Sequence, residues 1–265
     1  PPAPLAEDEP IVGLVVGNKA VAVPLSSLAA RPVLLLSEFD SRSLLIWNAS
    51  ANRVVHCPVG LEVKAADLES LGEPGGSRLV YNRRFGQFIV GMTGRMPDGA
   101  DPIGVPRATA PLRTTWTRWK ARHPNTVVVP PGSRPAELIA PDDPVVVLHT
   151  PVRVAVPPGI LGALPMNTRV NDTSVLLLRD ATGRLRCFDR QLGEDLFVRP
   201  ERTTGRDAEK APLKDPTTGT TWSLDGIALD GELKGRRLRE FPVEEAVSRA
   251  LLQRWSPDVQ LVDLP

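Results

Sequence analysis

The segment Thr114–Val129, TTWTRWKARHPNTVVV, decides how the chain is divided. Two threonines precede Trp116 and Trp119, and a basic run stops at His123-Pro124. Threonine side chains can accept from the free N–H groups of a first helical turn, and proline disfavours helical backbone at the residue before it. The segment therefore predicts a short helix that stops at Pro124, followed by a buried valine strand. The tryptophans three apart read as the packing face of that helix. A stacking platform for a sugar or a base is the alternative role for Trp116 and Trp119.

Working outward, a similar ending recurs at the far end of the chain. Pro242 suits a first helical turn, Glu244 and Glu245 favour its positive end, and Val243, Ala246, Val247, Ala250 and Leu251 form one apolar face. Pro257 stops this helix, and Val259–Val262 reads as a strand. The Ser256–Asp258 stop lies 133 residues after His123–Asn125, and Ala155-Val156-Pro157 lies 133 after Ala22-Val23-Pro24. Asn82–Gly86 and Asp215–Gly219 share that offset. Three turn-forming anchors in one register predict an internal duplication.

The elements between the anchors match in kind. IVGLVVGNKAVAVP alternates on both sides of Gly17-Asn18, the pattern of a hairpin whose turn needs positive φ. VVVLHTPVRVAVP repeats the plan. RPVLLLSEFDSRSLLIW pairs by its letters with TSVLLLRDATGRLRCF, as a second hairpin turning at Asp40-Ser41 or Asp180–Gly183, with extra residues LGALPMNTRVND before it. Leu61, Ala65, Leu68 and Leu71 share one helical face and predict a helix stopped by Gly72. The expected organisation is an extended arm at 1–10, a first half at 11–130, a proline-rich linker at 131–143 and a second half at 144–265. The fold class is β-rich α+β, with two tandem pseudo-repeats of short strands and hairpins, each closed by a helix and then a strand.

Composition supports short elements. The 28 prolines among 265 residues exclude long helices and are interleaved with apolar runs, unlike a disordered composition. A formal net charge of +1 argues against a nucleic-acid partner, and the Arg236-Arg237-Arg239 cluster is flanked by Glu232 and Glu240. No apolar run of about 20 residues is present, so no transmembrane segment is expected. The start PPAPLAEDEP, without methionine, reads as a mature exported chain whose signal has been removed, in the periplasm, at the cell surface or outside the cell. Cys57 and Cys187 read as buried small hydrophobes, with pairing in an oxidising compartment as the alternative.

Signatures of nucleotide binding and of the serine nucleophile elbow are missing, and no cofactor is expected. His56-Cys57 is the nearest approach to a metal pair, and no third ligand lies near it in sequence. Asp225, Asp230 and Glu232 lie in a Gly-rich stretch just after Trp222. Paired acids beside an aromatic ring are the residue types of a glycoside hydrolase, but two tight turns around a short strand explain the same letters.

The opening hairpin ending in AVP, the run RVNDTSVLLL at Arg169–Leu178, the stretch DPTTGTTWSLDGIALDGELKGRRL at Asp215–Leu238 and TTWTRWKARHPNTVVV together resemble a bacterial family known as domain of unknown function 3179. Typical members of that family carry a Cys-Pro-Leu-Cys-Gly-like stretch after the hydrophobic strand. Here Glu38–Ser41 and Arg179–Gly183 stand in that place without cysteine. The resemblance therefore implies a member that has lost the family's candidate metal or redox chemistry. Folding signals kept while ligand-type residues are lost lead to the expectation of a non-enzymatic, exported binding or scaffold protein, an accessory subunit with a protein partner. Trp116, Trp119, Trp222, Asp225 and Asp230 are the candidate binding residues, and the alternatives are a carbohydrate-active hydrolase and a metal-binding protein.

Overall fold

The computed structural model describes residues 5–37, 41–103, 111–132, 141–162, 165–181, 183–194, 196–204 and 211–262. The chain is β-rich α+β, built from small sheets with three short helices among the described residues. It divides into two compact units. The first holds Pro1–Pro144 and Ala246–Pro257, and the second holds Val145–Glu245 and Asp258–Pro265.

In the first unit, β1 (Pro10–Val16) and β2 (Lys19–Pro24) form the expected hairpin, turning at Gly17 with φ of 61°. Helix α1 (Leu25–Ala30) follows, then a meander of β3 (Val33–Leu36), β4 (Arg42–Asn48) and β5 (Arg53–Val59). A second meander contains β6 (Leu68–Ser70), β7 (Leu79–Asn82) and β8 (Gln87–Val90). Strand β9 (Leu112–Thr115) leads directly into α2 (Trp116–Arg122), and β10 (Val127–Val128) ends the run. The sheet order is β10-β2-β1-β9, with β9 antiparallel to β1 and β10 parallel to β2. One core lies under this sheet and β3–β5, filled by Val12, Leu14, Val21, Val23, Leu45 and Trp47.

In the second unit the hairpin is β11 (Pro144–Leu148) and β12 (Val154–Val156). A short 3-10 turn, Pro158–Gly162, precedes β13 (Met166–Val170), β14 (Thr173–Arg179) and β15 (Leu185–Asp189). A small sheet follows in the order β16 (Glu201–Arg202), β17 (Leu213–Lys214), β18 (Thr221–Trp222) and β19 (Ala228–Asp230). Strand β20 (Glu240–Phe241) joins β15, and β21 (Val243–Ser248) leads the chain into α3 (Arg249–Trp255), which belongs to the first unit, before β22 (Gln260–Leu261) returns to the second. The sheet order is β21-β11-β12-β22, with β22 parallel to β12. Val146, Leu148, Val156, Val175, Leu177 and Cys187 are central to this unit's first core.

Several sequence expectations are corrected. The helix expected at Leu61–Leu71 is a single 3-10 turn at Ala65–Asp67 followed by β6. Asp67 accepts from Lys64 N at 2.8 Å and closes that turn. The helix expected from Pro242 begins only at Arg249. Residues Val243–Ser248 form a strand with Ala246 at φ of 56°, and the Ser248 side chain accepts from Leu251 N as the real cap. The Val127–Val128 strand is an edge with Val127 exposed, so it is not buried.

The matched runs VLLL also occupy different slots. Val33–Leu36 opens its meander, whereas Val175–Leu178 is the middle strand of its own. LGALPMNTRVND is accordingly no insertion, since it supplies β13. The arm is pinned from residue 5 onward. Leu5 packs near Trp119, and Glu7 O accepts from Thr117. Residues 1–4, the Asp40 part of the expected turn and 133–140 of the linker lie outside the described residues.

Candidate functional site

The meander β6–β7–β8 presents a two-faced surface. Side chains alternate across a strand, so Val80 and Ile89 turn inward to meet Leu44, Ile46, Val55 and Val63. Glu69, Leu71, Leu79, Tyr81 and Phe88 stand at the alternate positions. Tyr81 lies opposite both Glu69 and Phe88 in the ladder. The Tyr81 and Phe88 rings pack with centroids 5.0 Å apart at 37°. Phe88 keeps 42% of its surface exposed and Leu71 keeps 43%. The rim is charged, with Arg83 Nη2 on Glu69 Oε2 at 2.6 Å. An apolar patch with an aromatic centre and a polar rim is the usual anatomy of a recognition surface.

This face rests on a fully bonded polar support. Asn48, wholly buried, donates to Gly91 O at 3.0 Å and accepts from Arg78 N at 2.9 Å. A side chain at Gly91 would meet Asn48 Oδ1 at 2.6 Å, so that position is restricted to glycine. Glu73 accepts from Ala49 N, from Ser50 N and from Ser50 Oγ, and it pairs with Arg78 at 2.6 Å. Burial opposes the Glu73 charge, but the Ser50 and Ala49 bonds and the Arg78 guanidinium outweigh it and hold the carboxyl below its usual range.

The sequence-flagged residues lie elsewhere, and most are committed to the fold. Trp119 is 3% exposed, with its ring against the Gly13 backbone, its Nε1 donating to Thr126 Oγ1 at 2.8 Å and the tilted His123 ring centred 4.1 Å away. Trp116 is half-buried, with Lys120 Nζ 5.6 Å from its ring centre. Trp222 is 0% exposed, among Leu176, Phe188, Val198 and Leu213. Neither ring has an accessible face: Trp119 packs as the reading of its helix face expected, and Trp222, a candidate binding residue, lies in a core.

Asp225 Oδ1 accepts from Arg186 Nη1 at 3.0 Å, and the same guanidinium bonds Glu240 and lies over Phe188. Burial alone would lower the Arg186 pKa, but Glu240 and Asp225 raise it and keep it charged. Asp230 is solvent-facing, 3.6 Å from Lys234 Nζ, and Glu232 is exposed. Trp222, Asp225 and Asp230 are absent from the lining of the second unit's cleft of about 260 Å³, which includes Leu178, Asp180, Arg202 and Thr203.

His56 and Cys57 are neighbours on β5 and therefore point to opposite faces. His56 Nε2 is 3.0 Å from Ser43 Oγ, and burial lowers its pKa to about 4. Burial pushes the Cys57 thiol up to about 12. Cys187 is also raised, by burial first and then by Glu240 and Asp189. Both cysteines are free and buried. Among the described residues no three His, Cys, Asp or Glu side chains come together as a metal site, and no helix is long and apolar enough to cross a membrane.

Tyr81, the single tyrosine of the chain, and Phe88 were missed by sequence reasoning. The available signal was the alternation in LVYN and QFIV, which puts both rings on the face opposite Val80 and Ile89. No family model, curated protein or solved structure matches this chain.

Proposed function

We propose that the chain is one module copied end to end and that it works as a non-enzymatic binding or scaffold protein, an accessory subunit of a larger exported assembly. The observation that carries the binding role is the surface of exposed Leu71 and Phe88 with half-buried Leu79 and Tyr81 between them. Four residues suited to chemistry are engaged in the fold: both thiols are buried and held protonated, His56 is held neutral, and Asp225 is bonded to Arg186.

Duplication is supported by element order. Strands β3 and β13, β6 and β16, and β10 and β22, like helices α2 and α3, begin 133 residues apart. In each half the hairpin is central in its sheet, flanked on one side by the strand that enters the closing helix and on the other by the parallel strand that leaves it. Gly86 and Gly219, also 133 apart, both have φ near 64°, at 63° and 65°. The likeness to the family of unknown function belongs to the same proposal.

A tagged full-length chain, expressed in the producing cells, tests the binding role. A defined partner should be retained by the wild type and lost with Tyr81→Ser/Phe88→Ser. Retention of the same partner by both would contradict the assignment of this face. Cell fractionation tests export.

A further inference from the structure

The edge of the same meander specifies how a partner is held. Strand β8 is the last strand of its sheet. Leu79 donates to Gly72 O at 2.9 Å and accepts from Leu71 N at 2.8 Å, so its peptide groups point towards β6. Val90, opposite Leu79, donates to Arg95 O at 2.7 Å, away from β7. Peptide groups two residues apart on a strand share an edge. The N–H and C=O of Phe88 therefore also face away from β7, and among the described residues no strand pairs with them.

In the second unit the corresponding edge is filled. Thr221 lies opposite Lys214 as Phe88 lies opposite Tyr81, and β19 pairs Asp230 with Thr221. Ser223 N bonds Ile227 O at 2.9 Å, as Val90 N bonds Arg95 O. The segments that follow these bonds align as Ile227-Ala228-Leu229-Asp230-Gly231 and Arg95-Met96-Pro97-Asp98-Gly99. Gly231 and Gly99 both have positive φ, at 98° and 86°. Pro97 stands where Leu229 stands. In the first unit this segment closes on itself, with Met96 N bonding Ala100 O at 2.8 Å and Gly99 N bonding Met96 O at 2.9 Å. Among the described residues the fourth strand of the first unit is thus reduced to the Val90–Arg95 bridge, and no strand covers the edge beside the exposed Phe88 ring.

We propose that β8 accepts an extended, alternating apolar segment of a partner protein as an added antiparallel strand. The segment bonds the Phe88 main chain and lays its side chains beside Phe88 and Tyr81, as β19 does on β18. This inference rests on the reading of that face as a binding site and adds the mode of recognition.

The test uses the full chain and a fluorescent peptide alternating valine and threonine, alongside its fully N-methylated form. Anisotropy should show binding of the plain peptide, with at least about tenfold loss on N-methylation, the size expected for one or two main-chain bonds. Phe88→Pro, checked for native circular dichroism, should lose binding. No binding of the plain peptide overturns strand addition. Binding that survives N-methylation also overturns it, and leaves only side-chain recognition by the face. Loss of the native partner with Tyr81→Ser/Phe88→Ser is a separate readout, so failure of the face and failure of the edge are told apart.

Discussion

His56 and Glu73 give the first unit a defined response to acid. The folded pKa of His56, about 4, lies below the ordinary imidazole value of 6.5. Between those two values the unfolded chain takes up a proton that the fold excludes. Stability is therefore full above pH 6.5 and falls as pH drops towards 4. Glu73 acts in the same direction at lower pH. Its lowered carboxyl contributes above the ordinary value of 4.5, and the contribution is lost as pH falls through the folded value. Urea unfolding at pH 7 and pH 4.5 should show a loss of about 2 kcal/mol assignable to His56. His56→Gln should flatten that part of the profile, and a variant parallel to the wild type would contradict the assignment. Thiol chemistry gives a second residue-scale prediction. Neither Cys57 nor Cys187 should react with a disulfide reagent in the native protein at pH 8, and both should react after denaturation.

Helix α2 meets the first sheet in a close fit at Gly13. An added Cβ on Gly13 would stand 2.3 Å from Trp119 Cε3, too close for a rigid ring to yield. Gly13→Ala should cost about 1–3 kcal/mol in urea unfolding. Combining it with Trp119→Leu should recover part of that loss, because the clash partner is gone. Helix α3 starts differently. Asp143 accepts from Ala250 N at 2.8 Å and from Ser248 Oγ at 3.2 Å. Asp143→Ala should therefore cost about 1 kcal/mol, read from the same transition.

These elements also mark what could be read in advance. Gly17-Asn18 and Pro124 act through local backbone sterics, which sequence carries directly, so the hairpin and the helix stop were legible. Leu61–Leu71 and Val243–Ser248 have helical spacing on paper, yet both contain strand. Tertiary pairing, of β6 with β7 and of β21 in the sheet of β11, overrides the local preference. The site was less legible. Trp222 and Trp119 drew attention as large aromatic residues, but their size is what the cores take up. Tyr81 and Phe88 matter through their register on neighbouring strands, and no local pattern reveals which face of a small meander is left to solvent.

For the whole molecule, the proposed duplication accounts for two sheets with the same strand order and for helices spaced 133 residues apart. It also gives the differences a meaning. Where the second unit completes its small sheet with β19, the first stops at Arg95 and leaves Phe88 exposed. Two copies that drifted apart in this way would keep one closed sheet and one open to a partner. Native mass spectrometry of the chain purified from its producing cells tests this most directly. The account predicts a species heavier than the 28.7 kDa chain for the wild type, and the free chain alone for Tyr81→Ser/Phe88→Ser. A wild-type protein found only at 28.7 kDa, or a double variant that keeps the heavier species, would contradict it.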